Sequence, residues 1–419
     1  SRSKVFVRRV ARAMGAMLTA ACRTTPAAGA AALAVGVAVA AGARWLQRLR
    51  PFRCSSSSSL PERFRLESVV RPSVLRVKSY AFPPRFEYPD PVLLDANESP
   101  YGPPCGDATL ARLRAERYPD PRYGALKEAF AGLARVKAGQ VLLGNGSDEV
   151  IDMLIRVFCS PGSDSILVCP PTYSMYGIFA EFNDVGVTEV PLTPDFQLRP
   201  AEVVAALTPQ TRLVFLCSPG NPTGNCLDRE AMEEVLKAAT GSVVVVDEAY
   251  ADFQEGETAL PLLAKYPNLF VMRTMSKAWG LAGARVGVAF AGEELIATMN
   301  VVRSPFNVSS LAEDAALRAL ASADTVASNI RKTVAERERV AAELRSMAPK
   351  VGRVYPSDAN FLLLRVPDAK AMAVKIASDS NIVVRYRGTM LHCQDCIRVT
   401  IGTPAENDQF LRALRAALA

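Results

Sequence analysis

The chain has 419 residues, of which 49% are hydrophobic and 22% are charged, which indicates a globular protein with a sizeable core and about two domains. Its formal net charge of +7 is unevenly distributed, because residues 1–61 hold ten Lys and Arg and no Asp or Glu. Removing those ten charges leaves −3 for the remainder, which argues against a nucleic-acid-binding surface on the body of the protein.

The basic segment 1–61 is rich in Ala, Ser and Arg, a composition typical of an organellar transit peptide. Residues 27–43 within it carry no charge, and at 17 residues they reach the lower limit for a membrane span. A secretory signal or a membrane anchor is therefore the alternative for this segment. We exclude 1–61 from the fold prediction.

The nine cysteines are scattered along the chain and do not form a disulfide framework. His392, Cys393 and Cys396 form HCQDC, but a zinc site needs about four ligands, and the chain has no other histidine. We therefore predict a hairpin here, between the strands NIVVRYR and CIRVTIG, and no metal site. The single histidine also excludes Ser-His-Asp and Cys-His catalysis, unless His392 supplies the base.

Short apolar runs alternate with helical patterns from residue 106 to about 300. The runs are QVLLGNG (140–146), SILVCPP (165–171), TRLVFLCSPGNPTG (211–224), SVVVVDEAY (242–250) and NLFVMRTMSK (268–277). Strands that are apolar on both faces and separated by helices predict a large α/β domain with a mostly parallel sheet covered on both sides.

The pattern changes in residues 301–419, where the amphipathic helix ERERVAAELRSM precedes the separate strands ANFLLLRV, NIVVRYR and CIRVTIG. This order predicts a smaller α+β domain. Residues 62–105 are interpreted as an N-terminal arm and part of that small domain.

Ligands of parallel sheets gather at the carboxyl ends of the strands, so the residues that end each run are candidates for a site. The first run ends in GNGSDEV and opens a helix, where the amides of Ser147 and Asp148 can hold a phosphate. Gly144 and Gly146 also resemble a dinucleotide fingerprint, but Glu149 stands where its third glycine belongs.

Three further strand ends carry polar or aromatic side chains. Asp247 follows four valines and is either a helix cap or a counter-ion for a cationic ring nitrogen such as that of pyridoxal phosphate, with Tyr250 in reach of the same ligand. Asn221 lies in the turn SPGNPTG, which favours a cis proline. Tyr173 in PPTYSMY is either a packing aromatic or a residue that stacks on a ring.

Lys277, in TMSKAWGLAGAR after the last apolar run, is either a surface lysine or a nucleophile whose pKa is lowered by burial. Its position among the other strand ends favours the second role. Lys277 would bond to the aldehyde of pyridoxal phosphate and act as general acid and base, and Asp247 would keep the ring nitrogen protonated. The cofactor phosphate would bind to Ser276, Arg285 and the turn 146–148.

Several long motifs in residues 75–417 resemble those of fold-type I, aspartate aminotransferase-like enzymes, and within that group those of the histidinol-phosphate aminotransferase family. The motifs are LDANESPYG (94–102), RYPDPRYGALKEAFA (117–131), GNGSDEVID (144–152), PTYSMY (171–176), SPGNPTG (218–224), VDEAYADF (246–253), TMSKAWGLAGARVG (274–287) and IRVTIGT (397–403). The resemblance implies a pyridoxal-phosphate-dependent aminotransferase of fold type I.

The resemblance also implies roles for cofactor-binding residues. It places the stacking aromatic at Tyr173, the contacts to the ring oxygen at Asn221 and Tyr250, and the cofactor-bonded lysine at Lys277. Tyr118 of the RYPD motif would reach the cofactor phosphate of a neighbouring subunit, which implies a homodimer with shared active sites.

For the substrate, the resemblance points to Arg398 and Arg385, which would bind the phosphate of L-histidinol phosphate, and to Tyr80 and Asn97. The alternative for Arg385 is an edge-strand residue whose side chain contacts only solvent. The neighbouring Arg387 is a second candidate for the same phosphate-binding role. The implied reaction is transamination of L-histidinol phosphate with 2-oxoglutarate, giving imidazole acetol phosphate and L-glutamate in histidine biosynthesis.

Three alternatives stay open at this point: an aromatic amino acid aminotransferase, a pyridoxal-phosphate-dependent decarboxylase of a phosphorylated amino acid, and a non-catalytic module held to a membrane by 27–43. Because bacterial members of the resembled family lack a tail like 1–61, we expect a plastid enzyme, with the mitochondrion as second choice.

Overall fold

A computed structural model describes residues 63–77 and 107–419 of the chain. The predictions for the tail 1–61, for Tyr80 and for Asn97 lie outside the described residues. Within the described ranges, no helix is long and apolar enough to span a bilayer.

The larger sheet has seven strands in the order β1-β7-β6-β5-β4-β2-β3. Only β7 runs antiparallel to its neighbours, and the other pairs are parallel. The strands are β1 (Val141–Asn145), β2 (Ser165–Val168), β3 (Gly186–Glu189), β4 (Thr211–Cys217), β5 (Val243–Asp247), β6 (Leu269–Thr274) and β7 (Val286–Ala291).

Helices cover both faces of this sheet. On one face pack α3 (Gly124–Ala134), α6 (Pro200–Ala206), α7 (Arg229–Ala238) and α9 (Ser310–Ala321). On the other pack α1 (Leu66–Val69), α4 (Gly146–Phe158), α5 (Met175–Phe182) and α8 (Glu293–Val302), while the short α2 (Ala108–Arg112) has no buried residue.

Side chains of the central strands alternate between the two faces of the larger sheet, and each face has its own hydrophobic core. In β4, Val214 and Leu216 face the first core, whereas Leu213 and Phe215 face the second. A strand buried on both faces is apolar at every position, as the runs in the sequence indicate. The prediction of a mostly parallel sheet covered on both sides is confirmed.

A second, smaller sheet has the order β8-β10-β9, with both pairs antiparallel. Its strands are β8 (Phe361–Arg365), β9 (Arg385–Tyr386) and β10 (Cys396–Thr400), and its helices are α10 (Ala323–Arg345), α11 (Ala369–Ser380) and α12 (Pro404–Ala417). Leu362 and Leu364 face a core shared with these helices, whereas Leu363 faces a core of the larger sheet.

The predicted strand NIVVRYR is much shorter in the structure, because only Arg385 and Tyr386 pair with β10. Val383, two residues before Arg385, is 87% exposed and does not pair with another strand. The predicted division at residues 105 and 300 stays a prediction.

Candidate active site

The strand directions place the predicted residues at one edge of the larger sheet. The carboxyl ends of β1, β2, β4, β5 and β6 meet there, and so does the amino end of the antiparallel β7. One cavity at this edge is lined by Ser147, Asp148, Tyr173, Cys217, Asn221, Asp247, Ala249, Tyr250, Thr274, Ser276, Lys277 and Arg285. The structure therefore brings together nearly all of the cofactor-binding residues predicted from the sequence.

Lys277 lies in the turn after β6, with Nζ 5.5 Å from the centre of the Tyr250 ring. Its pKa is lowered, first by burial of the amine in the cleft and then by the positive charge of Arg398. The charge of Asp247 acts in the opposite direction without reversing the shift. A lowered pKa increases the fraction of neutral amine, which is the nucleophilic form.

Asp247 is the last residue of β5, and its side chain is buried. Burial raises the pKa of this carboxyl to about 6, because the charged form loses hydration. Two hydrogen bonds oppose the shift: the Tyr176 hydroxyl donates to Oδ2 at 2.6 Å, and the backbone amide of Ala249 donates to Oδ1 at 3.1 Å. At neutral pH this carboxyl is therefore mostly ionised, although it is buried.

Tyr176 is a site residue that the sequence analysis missed. Its side chain is fully buried and stacks on Phe215, with ring centres 4.6 Å apart. The available signal was its position in PTYSMY, three residues after Tyr173 and so one helical turn further on.

The first turn of α4 and the residue before β7 form a cradle for an anion. Arg285 Nη2 lies 3.1 Å from Asp148 Oδ2, and its Nη1 lies 3.5 Å from Ser276 Oγ. Thr274 donates a 3.0 Å hydrogen bond to the same Ser276 oxygen. Because β7 runs against β1, Arg285 at its amino end faces the amides that begin α4.

Gly146 is required in this cradle for two reasons. Its φ of +76° is a conformation that side chains disfavour. A Cβ at this position would also collide with the guanidinium of Arg285. Only glycine lets Arg285 lie directly against the start of the helix.

Three further predicted residues lie around the same cavity. The Tyr173 hydroxyl donates to Asp148 Oδ1 at 3.1 Å, and Asn221 Nδ2 lies 3.5 Å from the hydroxyl of Tyr250. The predicted cis proline in SPGNPTG is confirmed twice, at Ser218–Pro219 and Asn221–Pro222.

The smaller sheet contributes arginines to this region. Arg398 Nη1 donates to Asn221 Oδ1 at 2.5 Å, and its guanidinium lies 5.0 Å from the ring centre of Phe361. Arg385 is directly opposite Arg398 in the β9–β10 register. Neither arginine forms an ion pair with a carboxylate in the described part of the chain.

Two predicted features lie apart from the cavity. Tyr118 does not line it: the side chain is half exposed and stacks on Phe306, with ring centres 4.6 Å apart. Cys393 and Cys396 lie in the predicted hairpin between β9 and β10, and both are buried in a core of the larger sheet. Over the described residues, no three His, Cys, Asp or Glu side chains are placed to hold a metal ion.

Residues 89–414 match the family model of class I and II aminotransferases, so the chain belongs to that family of pyridoxal-phosphate-dependent enzymes. It is 41% identical over 354 residues to a histidinol-phosphate aminotransferase of Cytophaga hutchinsonii, covering 84% of this chain and 99% of that one. A histidinol-phosphate aminotransferase of Parabacteroides distasonis is 42% identical over 351 residues, covering 84% of this chain and 98% of that one.

Solved structures agree with this family. The histidinol-phosphate aminotransferase of Sinorhizobium meliloti, crystallised with pyridoxal-5'-phosphate, has a TM-score of 0.65 and 26% identity, covering 77% of this chain and 89% of that one. That of Clostridium acetobutylicum has a TM-score of 0.67 and 25% identity, covering 72% of this chain and 90% of that one. The predictions of an aminotransferase, of fold type I and of pyridoxal phosphate as cofactor are confirmed.

The residues at the cavity fit this cofactor. The donor set contains an amine with a lowered pKa (Lys277), a buried carboxylate (Asp247), and an anion cradle of Arg285, Ser276 and the first turn of α4. The amine matches the aldehyde of pyridoxal phosphate, the carboxylate matches its pyridine nitrogen, and the anion cradle matches its phosphate.

The prediction of a plastid enzyme, with the mitochondrion as second choice, is wrong. The similar curated relatives are bacterial proteins, among them those of Cytophaga, Parabacteroides and Bacteroides. The transit peptide is likewise not supported by these relatives. A segment rich in Arg, Ser and Ala does not by itself specify an organelle, and neither does the presence of a tail that relatives lack.

Proposed function

We propose that this protein transfers the amino group of L-histidinol phosphate to 2-oxoglutarate, giving imidazole acetol phosphate and L-glutamate. The names of its relatives support this substrate, and so does the arginine pair of the smaller sheet. The single observation that carries the proposal is the placement of Arg385 opposite Arg398, with no carboxylate beside either in the described residues.

The charge of this pair explains the choice of substrate. Like charges opposite each other in a ladder are unfavourable, so an anion between them stabilises the arrangement. A phosphate monoester is dianionic and accepts forked hydrogen bonds from two guanidiniums, whereas one carboxylate carries a single charge. Arg398 is also held in place by Asn221 and Phe361, which orients its guanidinium for binding.

We assign the ring-binding roles as follows. Lys277 would bond to the cofactor aldehyde, Asp247 would pair with the protonated ring nitrogen, and Tyr173 would stack on the ring. Asn221 and Tyr250 would contact the ring oxygen, consistent with the 3.5 Å between their polar atoms. When bound, the cofactor supplies an electron-accepting ring that stabilises negative charge on the substrate carbon.

The phosphate of the cofactor would be held by the cradle of Arg285, Ser276 and the residues Gly146, Ser147 and Asp148. Backbone amides at the start of a helix of 13 residues attract anions, and Arg285 adds a charged fork. Asp148 already pairs with Arg285, which orients the guanidinium toward the cradle.

The proton transfers fall to Lys277. Once the substrate amine has displaced Lys277 from the cofactor aldehyde, the free lysine amine, with a pKa below its usual value, would take a proton from the substrate carbon that bears the amino group and would donate it to the carbon of the former aldehyde. The Tyr250 ring lies beside this amine, with its centre 5.5 Å from Nζ. Asp247 is mostly ionised at pH 7, because the Tyr176 and Ala249 hydrogen bonds limit the rise of its pKa to about 6.

We also propose a homodimer in which Tyr118 reaches the active site of the partner. The half-exposed ring of Tyr118 is consistent with an intersubunit role. Tyr80 and Asn97 are proposed to contact the substrate, on the motif resemblance alone.

The test of the proposed substrate is Arg385→Ala in the cofactor-loaded enzyme, with the exposed Arg412→Ala as control. Loss of one charged contact is expected to reduce kcat/KM for L-histidinol phosphate by about 10- to 100-fold, and to affect L-glutamate far less. Equal losses for both substrates would contradict the phosphate assignment. Release of carbon dioxide from a phosphorylated amino acid, without amino transfer from L-histidinol phosphate, would indicate the decarboxylase.

A further inference from the structure

Arg387 lies two residues after Arg385, at the point where β9 leaves the ladder. Its amide donates a 2.9 Å hydrogen bond to the carbonyl of Cys396, which continues the β9–β10 pairing by one more position. Side chains alternate along a strand, so Arg385 and Arg387 lie on the same face, with Arg398 opposite the first and diagonal to the second. Three guanidiniums therefore share one face of the smaller sheet.

This face is directed toward the larger sheet and its cavity. Arg398 reaches Asn221 at the end of β4, and Leu363, on the same face, packs into a core of the larger sheet. Burial raises the pKa of Tyr250 to about 12, and the charges of Arg398 and Arg387 act against that shift. Arg387 therefore lies close enough to affect a residue that lines the active-site cavity.

One nitrogen of the partly buried Arg387 guanidinium lacks a hydrogen-bond partner. Its Nε is inaccessible to solvent and has no hydrogen-bond partner. Across the described ranges, no Asp or Glu forms an ion pair with Arg385, Arg387 or Arg398. Burial lowers the pKa of Arg387 to about 10, and the charges of Arg398 and Arg385 lower it further in the same direction.

Arg387 and Arg398 are partly buried and Arg385 is exposed. A partly buried charge without a counter-ion is costly, and like charges beside it add to the cost. Two other partly buried arginines in this fold have carboxylate partners: Arg273 pairs with Glu248 and Arg212 with Asp164. The absence of any such carboxylate at the three-arginine face leaves room for an anionic ligand to supply the missing charge.

We infer that Arg387 is a third substrate-binding guanidinium, which acts with Arg385 and Arg398 to bind a dianionic phosphate ester in preference to a singly charged group. The inference rests on the proposed function and adds to it a specificity-determining residue. Three guanidiniums can donate hydrogen bonds to all three terminal oxygens of a phosphate, whereas a carboxylate has only two oxygens.

The experiment compares L-histidinol phosphate with L-histidinol, which differ only in the phosphate. Each is titrated into the cofactor-loaded enzyme while the cofactor absorbance is followed, and kcat and KM are measured for both. The variants are Arg387→Gln, Arg387→Lys and, as a matched control, the exposed Arg412→Gln. Equal cofactor absorbance before titration shows that each variant is folded and loaded.

Arg387→Gln is expected to reduce the preference for the phosphorylated substrate by about 10- to 100-fold, mainly through KM, and to leave KM for L-histidinol unchanged. Arg387→Lys is expected to retain part of the preference, because lysine keeps the positive charge but lacks the paired N–H donors of a guanidinium. The wild-type KM for L-histidinol phosphate is expected to fall as the pH rises through the second phosphate ionisation near about 6, and less so in Arg387→Gln.

Each result decides between the two proposals. A preference that survives Arg387→Gln, or an equal loss for both substrates, would overturn the role of Arg387 and leave the proposed function intact. A wild-type enzyme without preference for the phosphorylated substrate would overturn both.

Discussion

The hydroxyl of Tyr176 donates a 2.6 Å hydrogen bond to Oδ2 of Asp247, and both side chains are buried. Burial favours the protonated form of the carboxyl, whereas this bond favours the ionised form that the cofactor nitrogen needs. The charge state of Asp247 therefore depends on a tyrosine in α5 that the sequence analysis did not identify as a site residue.

Replacement of Tyr176 by Phe removes the hydrogen bond and keeps the stacking on Phe215. The pKa of Asp247 is expected to rise further, by about one to two units, because hydrogen bonds to charged groups contribute about 1.5–3 kcal/mol. The low-pH limb of the kcat/KM profile would then move to higher pH.

Tyr266→Phe is the matched control, since the hydroxyl of Tyr266 donates to Glu233 away from the cavity, at 2.7 Å. If Tyr176→Phe left the pH profile of the enzyme where the control leaves it, the hydrogen bond would have no part in setting the charge of Asp247.

Asp247→Asn is expected to stabilise the cofactor-free protein at pH 7.5. The folded-state pKa of about 6 lies above the usual 3.8, so the folded form binds this proton more tightly and its stability falls as the pH rises from about 4 to 6. About two pKa units correspond to about 3 kcal/mol, and the unsatisfied amide of Asn reduces the expected gain to about 1–3 kcal/mol.

Denaturant unfolding of the two proteins at pH 7.5 and at pH 4 measures this effect. The gain is expected at pH 7.5 and is expected to be largely lost by pH 4, where Asp247 is protonated in the folded state. A variant less stable than wild type at pH 7.5 would show that Asp247 is adequately solvated or paired before the cofactor binds.

Gly146→Ala is expected to weaken cofactor binding without unfolding the protein. The new Cβ would force the Arg285 guanidinium away from the cradle, and the positive φ would cost about 1–2 kcal/mol. Gly132→Ala in α3, where a Cβ meets nothing within 4 Å, is the control. Equilibrium dialysis of pyridoxal phosphate gives the affinity, and unchanged binding by Gly146→Ala would contradict the position of the phosphate.

Lys277→Ala is expected to abolish amino transfer and to leave the cofactor bound only noncovalently. Lys265→Ala, at a surface lysine paired with Glu233, is expected to behave as wild type. Mass spectrometry after borohydride reduction tests the covalent bond directly, since a cofactor adduct on the Lys277→Ala protein would place the bond elsewhere.

The sequence predicts five strands of the larger sheet, because β1, β2, β4, β5 and β6 are buried on both faces and therefore largely apolar. The edge strand β3 is not predicted, because its residues GVTE are mostly exposed and do not form an apolar run. β7 is missed because its small residues follow directly after the Lys277 motif, and its antiparallel direction leaves no pattern in the sequence.

The strand ends identify Asp247, Asn221 and Lys277, because the topology of a parallel sheet brings such ends together. The side-chain contacts between them do not follow from order along the chain. The bond from Tyr176 to Asp247 depends on the packing of α5, and the isolation of Arg387 depends on which carboxylates the fold places elsewhere.

The measurement that tests the central claim most directly is the absorbance spectrum of the cofactor-loaded protein during titration with L-histidinol phosphate and, separately, with phenylalanine. We predict a visible absorption band of the bound cofactor that is bleached at much lower concentrations of L-histidinol phosphate. Bleaching preferred by phenylalanine would contradict the substrate and indicate an aromatic amino acid aminotransferase, and a protein that takes up no pyridoxal phosphate would contradict the catalytic role of Lys277.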